Sequence, residues 1–142
     1  MKIERSGSAT WSGGLKDGRG TVSLESGVLK DQPYGFAARF ESGPGTNPEE
    51  LIAAAHAGCF TMALSLVLEQ AGYKATRMST NAVVTLEKAG DGFTISAVAL
   101  TLDADIPGID EATFRRLTED AKANCPVSKL LNAAISLQAR LR

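Results

Sequence analysis

A single histidine and two cysteines, with no Cys-x-x-Cys, give little material for a His-rich metal site or a Ser/His/Asp triad. There is no Gly-x-Gly-x-x-Gly, no phosphate-loop Gly-Lys-Ser/Thr and no Gly-x-Ser-x-Gly. The usual signatures of dinucleotide binding, nucleotide hydrolysis and serine-hydrolase chemistry are therefore missing. Neither charge sign dominates: 15 Lys plus Arg face 16 Asp plus Glu. That balance gives no electrostatic case for nucleic acid or an anionic membrane as partner. Residues Met1 to Ser8 contain no apolar h-region, so no secretory signal is expected and the cytoplasm is the expected compartment. In a reducing compartment two cysteines read as thiols with chemistry, or as inert core residues, rather than as a static disulfide.

The chain has 142 residues, which fits one domain over 1–142. A chain of that size buries roughly 70% of its unfolded surface, enough for a core without staples. Its dominant feature runs from Asn47 to Tyr73. Asn47 suits an N-cap, Pro48 the first helical position, and Glu49 and Glu50 the positive end of the helix dipole. Gly72 suits the C′ position. The interior is rich in Ala and Leu, with apolar residues nearly all round, which predicts a helix buried on most sides. Residues Leu51 to Leu68 carry no formal charge, but His56, Gly58, Thr61 and Ser65 interrupt the run. Glu49, Glu50 and Glu69 flank it without Lys or Arg, so no membrane span is expected.

Before this helix, Lys2 to Trp11, Thr21 to Glu25 and Tyr34 to Phe40 alternate as strands, with turn clusters at Gly13 to Gly20 and Gly27 to Gly35. After it, Ala75 to Glu87 and Phe93 to Leu102 predict a hairpin through Lys88 to Gly92, the second strand apolar on both faces. Asp110 caps a helix reaching about Asn124, with Phe114, Leu117 and Ala121 on one face. Ile135 to Leu141 alternates as a closing strand. Strands at both ends with two helices between them predict an α+β fold. The central helix, roughly 36 Å long at 1.5 Å per residue, exceeds the radius of gyration of about 14 Å expected for this length. A second copy packed against it, in an obligate homodimer, resolves the mismatch.

Cys59 lies at the centre of that helix, and it reads in two ways. It is a small apolar core residue, or it is a reactive thiolate, which requires a positive neighbour. The helix dipole is too distant to supply one, so an arginine is needed. Arg39, at the end of the strand feeding the helix, is one candidate; Arg19, in Gly18-Arg19-Gly20, is the other. Each also reads as a solvated surface charge. Glu49 stands ten residues before Cys59, about 15 Å along the axis. If Glu49 holds the activating arginine, that pair most simply comes from the other subunit; as a first-turn acid it needs no further role. Cys125 continues the row Leu117, Ala121 and points inward, where it is either a core thiol or the partner of an oxidised Cys59. His56 reads as a hydrogen-bonded core residue, with a catalytic role as the alternative.

Particular strings carry a resemblance. They are Thr46-Asn47-Pro48-Glu49-Glu50-Leu51, Ala55-His56-Ala57-Gly58-Cys59-Phe60 and Cys125-Pro126-Val127-Ser128. They are joined by Gly20 to Ser23, Glu25 to Leu29 and Gln32 to Phe36. Across essentially its whole length the chain resembles the OsmC/organic hydroperoxide resistance (Ohr) family. The resemblance implies a thiol-dependent peroxidase that reduces organic hydroperoxides, and hydrogen peroxide less readily, without haem, flavin or metal. It implies an intertwined homodimer of antiparallel sheets around long central helices, with sites at the subunit interface. It implies Cys59 as peroxidatic and Cys125 as resolving cysteine, with Arg39 and Glu49 as the activating pair and an external dithiol, lipoyl-type or similar, as reductant. The hydroperoxide-resistance branch takes its arginine from the early Gly-rich loop, where this chain has Arg19. Phe36, Phe40, Phe60 and Met62 are candidates for an apolar substrate pocket, with the core as the preferred reading for most of them. A noncatalytic dimeric stress protein, or a redox sensor using Cys59 and Cys125, remains the alternative.

Overall fold

A computed structural model describes residues Met1–Arg142. The chain forms two compact units, Met1–Leu51 and Ile52–Arg142. In the first, β1 (Gly7–Ser12), β2 (Arg19–Leu24) and β3 (Gln32–Tyr34) form an antiparallel sheet in that order. Trp11 of β1 and Tyr34 of β3 both stand opposite Gly20 of β2. Their rings meet with centroids 5.5 Å apart. A Cβ at position 20 would come within 2.5 Å of both rings, so only glycine lets them close over the middle strand.

The strand expected over Tyr34 to Phe40 ends instead at Tyr34, and Phe36–Phe40 is a short helix, α1. Phe36 and Phe40 are four residues apart, a spacing that puts two rings on one face in either a strand or a helix. The pattern therefore did not discriminate, and the Ala37-Ala38 centre accommodates the helix. The rings pack at 5.0 Å.

Helix α2 (Pro48–Gln70) starts and stops where its local signals lie. The Asn47 side chain accepts from the Glu50 amide at 2.8 Å and donates to the Ala38 carbonyl at 3.0 Å, tying the cap to α1. At the other end Gly72 has φ +87° and the Tyr73 amide donates to Leu68 O at 2.8 Å, a Schellman closure.

In the second unit, β4 (Arg77–Ala89) and β5 (Gly92–Asp105) form a hairpin whose Gly90 has φ +63°. Helices α3 (Glu111–Asn124) and α4 (Pro126–Leu130) then carry the chain to β6 (Ala134–Leu141). β6 runs parallel to β5, which corrects the expectation of purely antiparallel sheets. The α3–α4 connection is a crossover, and a crossover delivers a parallel strand where a tight turn delivers an antiparallel one. Asp110 caps α3 by accepting from the Thr113 amide at 3.1 Å.

Buried residues at i, i+4 on α2 (Phe60, Leu64, Leu68) meet Val98, Leu100 and Leu102 of β5 and Phe114, Leu117 and Ala121 of α3 in one core. Each such large side chain contributes about 1.5–3 kcal/mol of transfer free energy. One expectation about coverage is corrected: β5 buries one face only from Val98 on, leaving Ala99 and Thr101 exposed. Within one chain α2 buries a single stripe: Met62 is 75% and Leu66 53% exposed. A single chain has nothing on that side to cover them. By length and composition α2 is apolar enough to cross a membrane, although its buried stripe belongs to this core.

Candidate active site

The four residues expected at the site fall into two groups, each assembled within one unit. In the first unit α1 carries Arg39 and the first turn of α2 carries Glu49. The Asn47–Ala38 bond holds these two elements together. Arg39 donates through Nε at 3.1 Å and Nη2 at 2.8 Å, both to Glu49 Oε1. Glu49 is buried, and its Oε2 has no hydrogen-bond partner. Arg39 is held from its base and side by this carboxylate, and its guanidinium lies 5.4 Å from the Phe40 ring centroid. A cavity of about 200 Å³ opens beside it, walled by Trp11, Leu15, Tyr34, Phe36 and Phe40. Arg19, the other candidate, is exposed at the start of β2 and makes no ion pair. The Glu49 partnership thus distinguishes Arg39.

In the second unit the two cysteines come together. Cys59 is half-buried on α2, and Cys125 is fully buried between α3 and α4. Helix α3 stops at Asn124, just before Pro126, and Pro126 opens α4 with Cys125 as the N-cap. Cys125 Sγ accepts from the Ser128 amide at 3.3 Å. Burial pushes the Cys59 thiol above its ordinary value; the Val127 amide acts against this, and a hydrogen bond and charge interaction with Cys125 add to it. None of these influences is a cation. Cys59 also opens onto a groove of about 610 Å³ bounded by Met62, Leu66, Asp120, Asn124 and Pro126.

His56, one turn before Cys59, is fully buried, and burial lowers its pKa. Its Nε2 lies 2.7 Å from Ser128 Oγ, which lies 3.2 Å from Cys125 Sγ. The sequence reading assigned Ser128 and Val127 no role. The available signal was Cys125-Pro126-x-Ser128, a cap residue followed by proline at the first helical position. Of the proposed pocket residues, Phe36 and Phe40 line the cavity at Arg39 and Met62 the groove at Cys59, whereas Phe60 is wholly in the core. No three His, Cys, Asp or Glu side chains converge as a metal set.

Residues 41–140 match the family described as OsmC-like protein. The chain is 54% identical over 142 residues to Peroxiredoxin OsmC of Escherichia coli (strain K12), covering all of this chain and 99% of that one. It is 30% identical over 140 residues to the organic hydroperoxide resistance protein of Xanthomonas axonopodis pv. citri, covering 96% and 93% of the two chains. Among solved structures, the organic hydroperoxide resistance protein OhrB of Bacillus subtilis superposes with a TM-score of 0.67 at 27% identity, covering 96% and 98%.

Proposed function

The chain belongs to the OsmC-like family, and from that membership and its paired thiols we propose that it is a cysteine-based peroxidase reducing organic hydroperoxides. The carrying observation is a half-buried thiol on an open groove, packed against the core cluster that holds a second, fully buried thiol. In the proposed cycle the Cys59 thiolate attacks the terminal oxygen of ROOH. The O–O bond breaks, the alkoxide leaves and takes a proton as ROH, and Cys59 becomes a sulfenic acid. Cys125 condenses with it, releasing water and forming a disulfide. An external dithiol, lipoyl-type or similar, restores both thiols by exchange.

A desolvated thiol without a cation is poorly ionised, so the proposal includes the source of the cation. Arg39, held by Glu49, is that source. Ten residues of helix, about 15 Å, separate Glu49 from Cys59 on one chain. We therefore assign the pair to Cys59 of a second copy, in an intertwined homodimer. The exposed Met62 and Leu66 on α2 support such a partner, since an uncovered apolar helix face favours association. On this reading residues 1–142 act as one OsmC-like domain, two copies share two sites, and the setting is the reducing cytoplasm under oxidative or osmotic stress. The aromatic cavity beside Arg39 suits an apolar R group, which favours organic hydroperoxides over hydrogen peroxide.

The test is steady-state consumption of cumene hydroperoxide and hydrogen peroxide by the wild-type protein, with dithiothreitol and with dihydrolipoamide. Sustained turnover with the organic substrate preferred is the expected result. Oxidation of both thiols without turnover by either reductant would replace the enzyme with a redox sensor. Thiols that ignore both peroxides would leave a noncatalytic dimeric stress protein.

A further inference from the structure

The cycle above gives no role to His56 or Ser128, yet Ser128 is built against the resolving sulfur and His56 against Ser128. His56 is 0% exposed, and Nδ1 has no partner while Nε2 is 2.7 Å from Ser128 Oγ. A trapped N–H without an acceptor is the rarer and costlier state in a protein interior than an unused lone pair. The proton therefore sits on Nε2 and is donated to Ser128 Oγ. That bond occupies one lone pair of the hydroxyl and leaves its hydrogen free to point at Cys125 Sγ, 3.2 Å away. The Ser128 amide donates to the same sulfur at 3.3 Å. Cys125 Sγ thus faces two donors from one residue, one of them oriented by an imidazole on a neighbouring helix.

We propose that Ser128, oriented by His56, is a catalytic hydrogen-bond donor to Cys125 in the disulfide-closing step. The proposal rests on the peroxidase reading. In that step the Cys125 sulfur supplies an electron pair to the sulfenic sulfur of Cys59. The S–S bond forms and the S–O bond breaks. The proton lost by Cys125 ends on the departing hydroxide, so the products are a disulfide and water. No further oxidant is needed, because the hydroperoxide has already oxidised Cys59. Negative charge develops on Cys125 as its proton leaves, and aligned donors in a dry site stabilise such charge without reorganisation. His56 touches no reacting atom and is a positioning residue.

The groups facing Cys125 from α2 are Cys59 and, through Ser128, His56. Charged residues on the adjoining helices are engaged or exposed: Asp120 accepts from Asn124, Lys122 pairs with Glu119, and Lys129 is exposed. On β6 Arg140 lies on the exposed face. No other charged group in these elements supplies a proton route to the sulfur.

The experiment mixes the full-length protein with one equivalent of cumene hydroperoxide in the absence of reductant. Sulfenic acid and disulfide are counted at timed quenches across pH. Ser128→Ala and His56→Phe are expected to slow closure about tenfold near neutrality and to displace its pH profile about one unit to the alkaline side. Ser128→Thr, which keeps the hydroxyl, and His56→Gln, which keeps a donor N–H, restore the profile. Closure in Ser128→Ala and His56→Phe with the wild-type rate and profile would overturn the proposal. So would a slowing by the same factor at every pH, which marks a packing effect alone. A wild type that forms neither sulfenic acid at Cys59 nor disulfide would overturn the peroxidase reading as well, so the two failures are distinguishable.

Discussion

Cys59→Ser lowers hydroperoxide turnover by at least about 10³-fold, to the rate of the dithiol alone. A serine hydroxyl at this position has no comparable nucleophilicity and cannot accept oxygen to form a sulfenic acid. The substitution is also structurally mild. Cys59 is only half-buried and opens onto the groove, so one small polar group replaces another at its wall. Loss of activity with unchanged unfolding is the expected pair of results. Cys125→Ser behaves differently: Cys59 is oxidised once, and the product is a sulfenic acid open to trapping, with turnover falling as it overoxidises. Measuring consumption and the fate of the first equivalent in both variants separates the peroxidatic thiol from the resolving one. Equal turnover by wild type and Cys59→Ser would remove Cys59 from the chemistry.

Arg39→Gln is expected to reduce kcat/KM for organic hydroperoxides by about 10²-fold, the usual effect of losing one aligned donor to a developing oxyanion. The pH profile shifts with it, and the sign follows from the thiol. Burial raises the Cys59 pKa, so its thiolate, the reactive form, is populated only as pH rises. A cation beside it lowers that midpoint; removing the cation returns the midpoint upward, and the loss is greatest at neutral or acid pH. The variant leaves the Glu49 carboxylate without its ion pair in a site where one oxygen already lacks a partner. That costs about 3 kcal/mol for a buried pair, and less here because Arg39 is more than a third exposed. Arg39→Gln/Glu49→Gln removes the stranded charge and is the control: it recovers stability but not rate. Mixing Arg39→Gln with Cys59→Ser under conditions of subunit exchange tests where the arginine acts. A heterodimer pairs an intact Arg39 from one chain with an intact Cys59 from the other, so activity reappears. A mixture as inactive as its components would assign both groups to the same chain.

Much of this was legible in local signals. Asn47, Pro48 and Gly72 delimit α2, Asp110 opens α3, and strict alternation from Ile135 to Leu141 identifies β6, because caps and periodicity are properties of a few consecutive residues. What was misread depended on something other than local order. Phe36 and Phe40 fit a strand and a helix equally. The direction of β6 depends on the crossover before it, not on its own pattern. The abundance of apolar residues in α2 was plain, but which of them a neighbour covers was not, and Met62 and Leu66 remain open. Composition carries no direction, so it did not separate Phe60, which is in the core as preferred, from Phe36, Phe40 and Met62, which line cavities. The contact of His56 with Ser128 joins residues 72 positions apart. Only the packing of α2 against α4 brings them together. The roles of Arg39 and Glu49 were named by resemblance; their shared hydrogen bonds add the physical reason for pairing them.

The most direct measurement is peptide mapping after the reduced wild-type protein has received one equivalent of cumene hydroperoxide, with no dithiol present. The account predicts two thiols lost per chain, one equivalent of cumyl alcohol formed, and a disulfide joining Cys59 to Cys125 within the chain. Intact thiols with the hydroperoxide unconsumed, or oxidation that falls on methionine and spares both cysteines, would contradict it.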